Sequence, residues 1–294
     1  NTDQYVHTWD GELYLEYHRG TYTSQARNKK NNRKTELKLR EAEWLVSEAA
    51  VKTGDFSSYP EKELQEAWKI ALRNQFHDII PGSSIHEVYE DSAAEYAKAN
   101  EILDTIEKNA LKVLVRESDS IVTVVNNSSF AGEGIVTVKV KTYEGRKGSW
   151  FSADGKELPA VYTEDGWLVK VSGIEPAGFT TLTLIIGTRA ECFCTEEWTG
   201  ELDTPFYHIV WDEKGRMTSI FDKENDREIL KAGELGNHLV VYEDRPMKYD
   251  AWDIDIYYQE KGYEVEDLKT VSVEKSSLMT KVKMDWNYQD STIS

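Results

Sequence analysis

The chain has 294 residues, 53 acidic against 35 basic side chains and a formal net charge of −18, a balance that opposes binding to polyphosphate and to anionic membrane surfaces. Nucleic acid is therefore excluded as an expected partner. A chain of this length exceeds one ordinary compact core, so more than one domain is expected. Nine Trp and sixteen Tyr offer flat faces of the kind that stack on pyranose rings, although most such rings simply fill cores.

The first residues, Asn1-Thr2-Asp3-Gln4, lack the basic and apolar regions of a secretion signal, and no apolar run approaches the roughly 20 residues that span a bilayer. The two cysteines, Cys192 and Cys194, are separated by one residue, a poor geometry for a mutual disulfide. A soluble, cytoplasmic chain with no membrane partner is the resulting expectation. The chain opens without methionine and ends at Ser294 inside a strand-like pattern, so a piece of a longer protein is expected.

The pattern is helical as far as Ser118. Between Asn28 and Thr53, Leu37, Trp44 and Val51 recur every seven residues beside Leu45 and Ala49, and charged residues fill the other face. Gly54 ends this helix. Pro60 suits the first turn of a second helix, in which Leu64, Trp68, Leu72 and Phe76 recur every four residues until Pro81-Gly82 stops it. Ser84 and Glu87 read as a capping box for a third helix carrying Val88, Ile102, Ile106 and Val113. From Ile121 the period shortens to two, with strands predicted at 121–125, 135–140, 158–162, 167–171 and 180–186, as in an antiparallel sandwich. A second β region opens at Phe206 to Trp211, turns at Asp212 to Gly215 and continues through Met217 to Phe221. The expected fold class is multidomain α+β: a three-helix bundle followed by antiparallel β-sandwich domains, the last one incomplete. The corresponding boundaries are a connecting segment at 1–26, the bundle at 27–117, a small β-sandwich at 118–190 and the start of a larger one at 191–294.

One motif carries chemistry. His77-Asp78 falls near a helix end, where an imidazole can serve as one of the three or four donors zinc requires. Taken alone, a histidine hydrogen-bonded within the bundle is the more ordinary reading, since most lone histidines are not ligands. However, the run Gln75 to Ile85, QFHDIIPGSSI, resembles the segment of glycoside hydrolase family 38 α-mannosidases in which a histidine followed by aspartate closes the zinc site. Gly11 to Gln25, GELYLEYHRGTYTSQ, is similar to the family stretch joining the catalytic domain to the helical bundle. Phe206 to Lys223, FYHIVWDEKGRMTSIFDK, and Tyr249 to Ile256, YDAWDIDI, resemble segments of the family's C-terminal β domain.

The resemblance implies retaining hydrolysis of α-mannosides by an aspartate nucleophile beside zinc, with a mannose-containing oligosaccharide as partner. It implies His77 as a zinc ligand and Asp78 as a contact to sugar hydroxyls. His18 and Arg19 stand where other members present an aromatic wall of the sugar pocket, and Trp252 is a candidate stacking platform. A salt-bridged linking strand is an equal reading of His18 and Arg19, and a place in a β core is the commoner use of a residue such as Trp252. The family's other zinc ligands, a His-x-Asp pair and the nucleophile, belong to an N-terminal α/β domain and have no match here: His7-Thr8-Trp9-Asp10 has the wrong spacing. No catalytic residue is therefore expected among these residues, and the chain alone is expected to be inactive. Two other readings stand beside this one: a non-catalytic carbohydrate-binding module, and a structural β module with a helical adaptor. A homo-oligomer stays open.

Overall fold

A computed structural model of the chain describes residues 8, 10, 18–116, 118–140 and 147–294, with backbone alone at 188 and 189. Most of the predicted connecting segment, including Gly11 to Tyr17 of its motif, lies outside the described residues. The order of elements is three helices followed by several antiparallel sheets, as the changing sequence period predicts. The chain divides into two compact units, one formed by residues 1–114 and 242–262, the other by 115–241 and 263–294.

In the first unit, helices α1 (Ala26–Thr53), α2 (Glu61–Asn74) and α3 (His86–Leu114) form the bundle. The buried stripe of α1 shares Leu45 with the predicted one but is otherwise rotated from it. Leu37 and Val51 are exposed, and the helix buries Asn28, Thr35, Leu39, Ala42, Leu45, Val46 and Ala50. The stripe begins with polar residues that have partners. Ser92 on α3 donates to Asn28 Oδ1 at 2.7 Å, and Asn100 Nδ2 donates to Thr35 Oγ1 at 3.4 Å, which offsets the cost of burying these groups. On α2, Leu72 and Phe76 are likewise exposed, and the buried face runs through Leu64, Ala67, Ile70, Ala71 and Asn74. Trp68 keeps its indole N–H satisfied by donating to Glu43 of α1 at 2.7 Å. The α3 core comprises Tyr89, Ser92, Tyr96, Ala99, Leu103, Ile106 and Ala110. Gly54 closes α1 with φ of +70°, the left-handed conformation that terminates helices. A cavity of about 390 Å³ opens at that end of the bundle, lined in part by Val46, Ala50, Tyr59, Ile106 and Val113, away from the His77 turn.

The second unit begins with a sandwich of two four-stranded sheets. In one, Gly178–Arg189 pairs with both Ile121–Asn126 and Lys147–Phe151; in the other, Gly166–Ile174 pairs with Gly132–Val138 and Ala160–Thr163. One pairing is parallel, between Val161-Tyr162 and Glu191-Cys192. The inward residues alternate along each strand and meet in a core of Val138, Trp150, Trp167, Val169, Val171, Ile174, Leu182 and Leu184. Lys147–Phe151 is a strand missing from the sequence reading, yet its Trp150 is fully buried.

Farther along, Tyr207–Trp211 and Met217–Asp222 form the predicted hairpin. Its turn is tied by Asp212 Oδ1, which accepts from the backbone of Lys214 and Arg216 at 2.9 and 3.0 Å. Gly215 at the turn has φ of +80° and lies so near Trp286 that an added Cβ would meet the indole at 2.7 Å. The final sheet orders Ser291–Ile293, Thr280–Tyr288, Asp267–Lys275 and Cys194–Glu196 side by side, over a core of Val265, Met284 and Trp286.

Candidate functional site

The His77 turn is held through its backbone carbonyls, which accept from side chains of α1 and of Ser84. Helix α2 ends at Asn74, not at Pro81 as the sequence reading has it, and residues 75–81 continue as successive turns. Within them, Ile79 and Ile80 both donate to the Phe76 carbonyl at 2.8 and 3.1 Å. Gln75 fixes the start by donating from Nε2 to Asn32 and Glu36 of α1. The carbonyls of the turn are then taken up one by one. The Ser84 hydroxyl donates to Asp78 O, Asn28 Nδ2 donates to Ile79 O at 3.2 Å, and Lys29 Nζ donates to Ile80 O and Pro81 O at 2.8 and 3.1 Å. Ser84 thus serves the turn instead of the predicted capping box: α3 starts at His86, which leaves Ser84 one residue short of the cap position. Tyr89 of α3 completes the frame by accepting from Ser84 N at 2.9 Å.

Held this way, the His77 side chain faces solvent at 76% exposure, with Nε2 at 3.4 Å from Asp78 Oδ2 and its ring beside Phe76 at 4.2 Å between centroids. An exposed imidazole flanked by a carboxylate is a chemically suitable single donor for zinc. It is not a complete set: among the described residues, no three His, Cys, Asp or Glu side chains are grouped so as to hold a metal ion.

A second segment meets the first at Ser24. Lys29 Nζ donates to Ser24 O at 2.6 Å as well as to the two turn carbonyls, and burial lowers the pKa of this ammonium below its ordinary value. Gly82, with φ of +92°, packs on the Ser24 backbone. From its other side, the Ser24 hydroxyl donates to Ala251 O at 3.0 Å, and Gly20 N donates to Trp252 O at 2.7 Å. A Cβ at Gly20 would stand 3.0 Å from the Trp252 carbonyl carbon. Trp252 and Asp253 both donate from their backbone to Tyr249 O, and Tyr249 adopts a φ of +57° to make that turn.

This docking brings two sequence-selected residues together. The His18 ring packs edge-on against Trp252 with centroids 4.6 Å apart and planes at 60°. His18, Arg19 and Trp252 are all half-buried. Of the sequence-selected residues, His77 and Asp78 share one turn and His18 and Trp252 share one stack, with Ser24 between the two segments that carry them. Reading the sequence missed Ser24, Lys29 and Asp253. Only the closeness of Ser24 to the Gly20 turn and of Asp253 to Trp252 hinted at a part for them.

Comparison with known proteins resolves the kinship. Residues 16–114 match a family model described as the alpha mannosidase middle domain, and residues 202–294 match one described as the glycosyl hydrolases family 38 C-terminal domain. The chain belongs to glycoside hydrolase family 38. Among curated relatives, it is 30% identical over 258 residues to human alpha-mannosidase 2C1, covering 86% of this chain and 23% of that protein. It is 31% identical over 252 residues to the alpha-mannosidase of Saccharomyces cerevisiae, covering 85% and 20%. Alpha-mannosidase G of Dictyostelium discoideum is 27% identical over 320 residues, covering 96% and 29%. The chain thus spans less than a third of the length of these relatives. Among solved structures, a family 38 glycosyl hydrolase from Enterococcus faecalis superposes with a TM-score of 0.70 at 19% identity, over 91% of this chain and 37% of that one. An alpha-mannosidase from E. faecalis V583 gives 0.57 at 17% identity, over 92% and 42%. Among the described residues no helix is long and apolar enough to cross a membrane.

Proposed function

We propose that this chain supplies the middle and C-terminal region of a zinc-dependent retaining α-mannosidase, acting on mannose-containing oligosaccharides in the cytoplasm. The reading rests above all on the two family 38 matches, which fall on the helical and the β regions in the family's order. Retaining hydrolysis needs two carboxyl groups about 5–5.5 Å apart, one to attack the anomeric carbon and one to protonate the leaving oxygen. In this reading both come from an N-terminal domain, and the residues here complete the pocket. His77 offers one imidazole nitrogen to the metal, Asp78 accepts from a sugar hydroxyl, and His18, Arg19 and Trp252 form part of the wall. A bound zinc ion would hold adjacent sugar hydroxyls and orient the ring.

The test is hydrolysis of p-nitrophenyl α-D-mannoside by the polypeptide that carries the upstream sequence, with the anomer of the released sugar followed by proton NMR. The α anomer should form first, and the 294-residue chain alone should show no turnover. Failure of the complete polypeptide to cleave any α-mannoside would remove the proposal. Turnover by the isolated chain would overturn the placement of the nucleophile elsewhere.

A further inference from the structure

The seven-residue recurrence of Leu37, Trp44 and Val51 on α1 is not spent on the bundle core. Leu37 is 50% and Val51 67% exposed, and Trp44 is half-buried. With about 3.6 residues per turn, this stripe runs along the side of α1 roughly opposite its buried one, which passes through Asn28, Thr35, Leu39, Ala42, Val46 and Ala50. A helix that is apolar on two sides and packed on one has a second face to cover, and a seven-residue apolar repeat is the pattern by which one helix packs along another. Lys30 stands one repeat before Leu37, and its aliphatic stem can extend the seam.

Charge selects what covers this face. The chain carries a net charge of −18, so two copies repel each other on average. Helix α1 departs from that average. Its residues 26–40 hold seven cations against Glu36 alone, while residues 41–51 hold Glu41, Glu43 and Glu48 and no cation. A second α1 laid antiparallel therefore meets opposite charge along both halves, and one laid parallel meets like charge. About a twofold axis between Arg40 and Glu41, Leu37 meets Trp44, Arg40 meets Glu41, Arg33 meets Glu48 and Lys30 meets Val51, each pair occurring twice. None of these eight residues is buried. Arg33 is held only at 3.4 Å from Glu36, with 71% of its side chain exposed. Arg40 and Trp44 also have partners within their own chain, and the pairing asks of them only a guanidinium's further donors and an indole's apolar face.

We propose that α1 is a dimerisation helix: two copies of this chain associate through antiparallel α1 helices about a twofold axis between Arg40 and Glu41, with Leu37 packed on the partner's Trp44 and Arg33 paired with the partner's Glu48. Such a contact is closed and self-complementary, so association stops at the dimer. It stands apart from the α-mannosidase reading, because it uses no residue assigned to sugar or zinc. The test is sedimentation velocity on the 294-residue chain at rising concentration. The wild-type chain should pass reversibly from monomer to dimer and no further. Leu37→Glu should raise the dissociation constant about 30-fold or more, as loss of a central apolar contact does. Arg33→Glu should raise it about 3- to 10-fold, and adding Glu48→Arg should bring it back, since the double exchange restores opposite charges in both pairs. These positions lie at the surface, so the helical circular dichroism of each variant should match wild type; if Leu37→Glu alone fails to fold, the charge exchange still decides. A wild-type chain that stays monomeric at every concentration overturns the proposal, as does a dimer that tolerates Leu37→Glu. A double exchange that associates no more tightly than Arg33→Glu alone overturns the antiparallel register and the proposal with it.

Discussion

Gly82 lies so close to Ser24 that a side-chain carbon added to it would stand 2.6 Å from the Ser24 carbonyl oxygen. The φ of +92° at the same residue excludes ordinary L side chains on its own account. Gly82→Ala should therefore push the His77 turn away from Ser24 and lower stability by about 2–4 kcal/mol. Urea unfolding followed by circular dichroism measures this, and a change of a few tenths of a kcal/mol would refute the close packing.

Lys29 holds three carbonyl groups at once, at Ser24, Ile80 and Pro81. Lys29→Met keeps the stem and removes the donor, which should cost about 2–3 kcal/mol because partly buried carbonyls lose a charge-assisted partner. Hydrogen exchange localises the effect: the amides of Ile79, Ile80 and Gly82 should lose protection before the interior of α3 does. Uniform loss across the bundle would instead mark Lys29 as a general stabiliser.

Glu107 on α3 gives the bundle a pH dependence. Burial is the main cause that raises its pKa to about 7; Lys38 opposes the shift, and Glu41 and Asp104 reinforce it. Its Oε1 is buried without a hydrogen-bond partner among the described residues, while Oε2 lies 3.8 Å from Lys38 Nζ. The folded form thus keeps a proton that the unfolded chain, with an ordinary glutamate near 4.5, has already released. Stability from this group is present below about 4.5 and is lost as pH rises through about 7. Glu107→Gln should flatten that decline, matching wild type near pH 5 and exceeding it by about 1–3 kcal/mol at pH 8. Thermal melts across this range check it, and parallel curves for the two proteins would sink it.

His77→Ala, made in the polypeptide that carries the upstream sequence, should lower zinc content and turnover together, with the melting temperature of the helical unit nearly unchanged because the imidazole is exposed. Full metal occupancy with wild-type turnover would remove His77 from the zinc site.

The fold was legible where a local pattern set it. Alternation along Ile121–Val125 and Trp167–Val171 marks true strands, and Asp212 to Gly215 supplies the chemistry of the turn it makes. The helices were legible as helices, yet their faces were not. The stripe of α1 contains Asn28 and Thr35, polar residues that a hydrophobic period skips, and their burial depends on Ser92 and Asn100 more than 60 positions away. Lys147–Phe151 escaped because Lys, Gly and Ser disguise a strand whose one large inward residue is Trp150. Of the candidate site, the His77-Asp78 motif and Trp252 could be read from their sequence neighbourhoods. That His18 would stack on Trp252 could not, since no local rule joins residue 18 to residue 252; the pairing follows from the clamp at Gly20 and Ser24.

The hydrogen bond from Ser24 to Ala251 joins residues 227 positions apart. At about 5–20 residues per second, a ribosome needs roughly 10–45 s to make the second partner after the first. During that interval the helices can assemble around contacts already available, and the Ser24 hydroxyl has a local acceptor in Gly20 O at 2.8 Å. The indole beside His18 arrives only after a whole sandwich has been synthesised. In a nascent chain the helical framework is thus an early product, and the aromatic corner of His18 and Trp252 is among the last parts to be assembled.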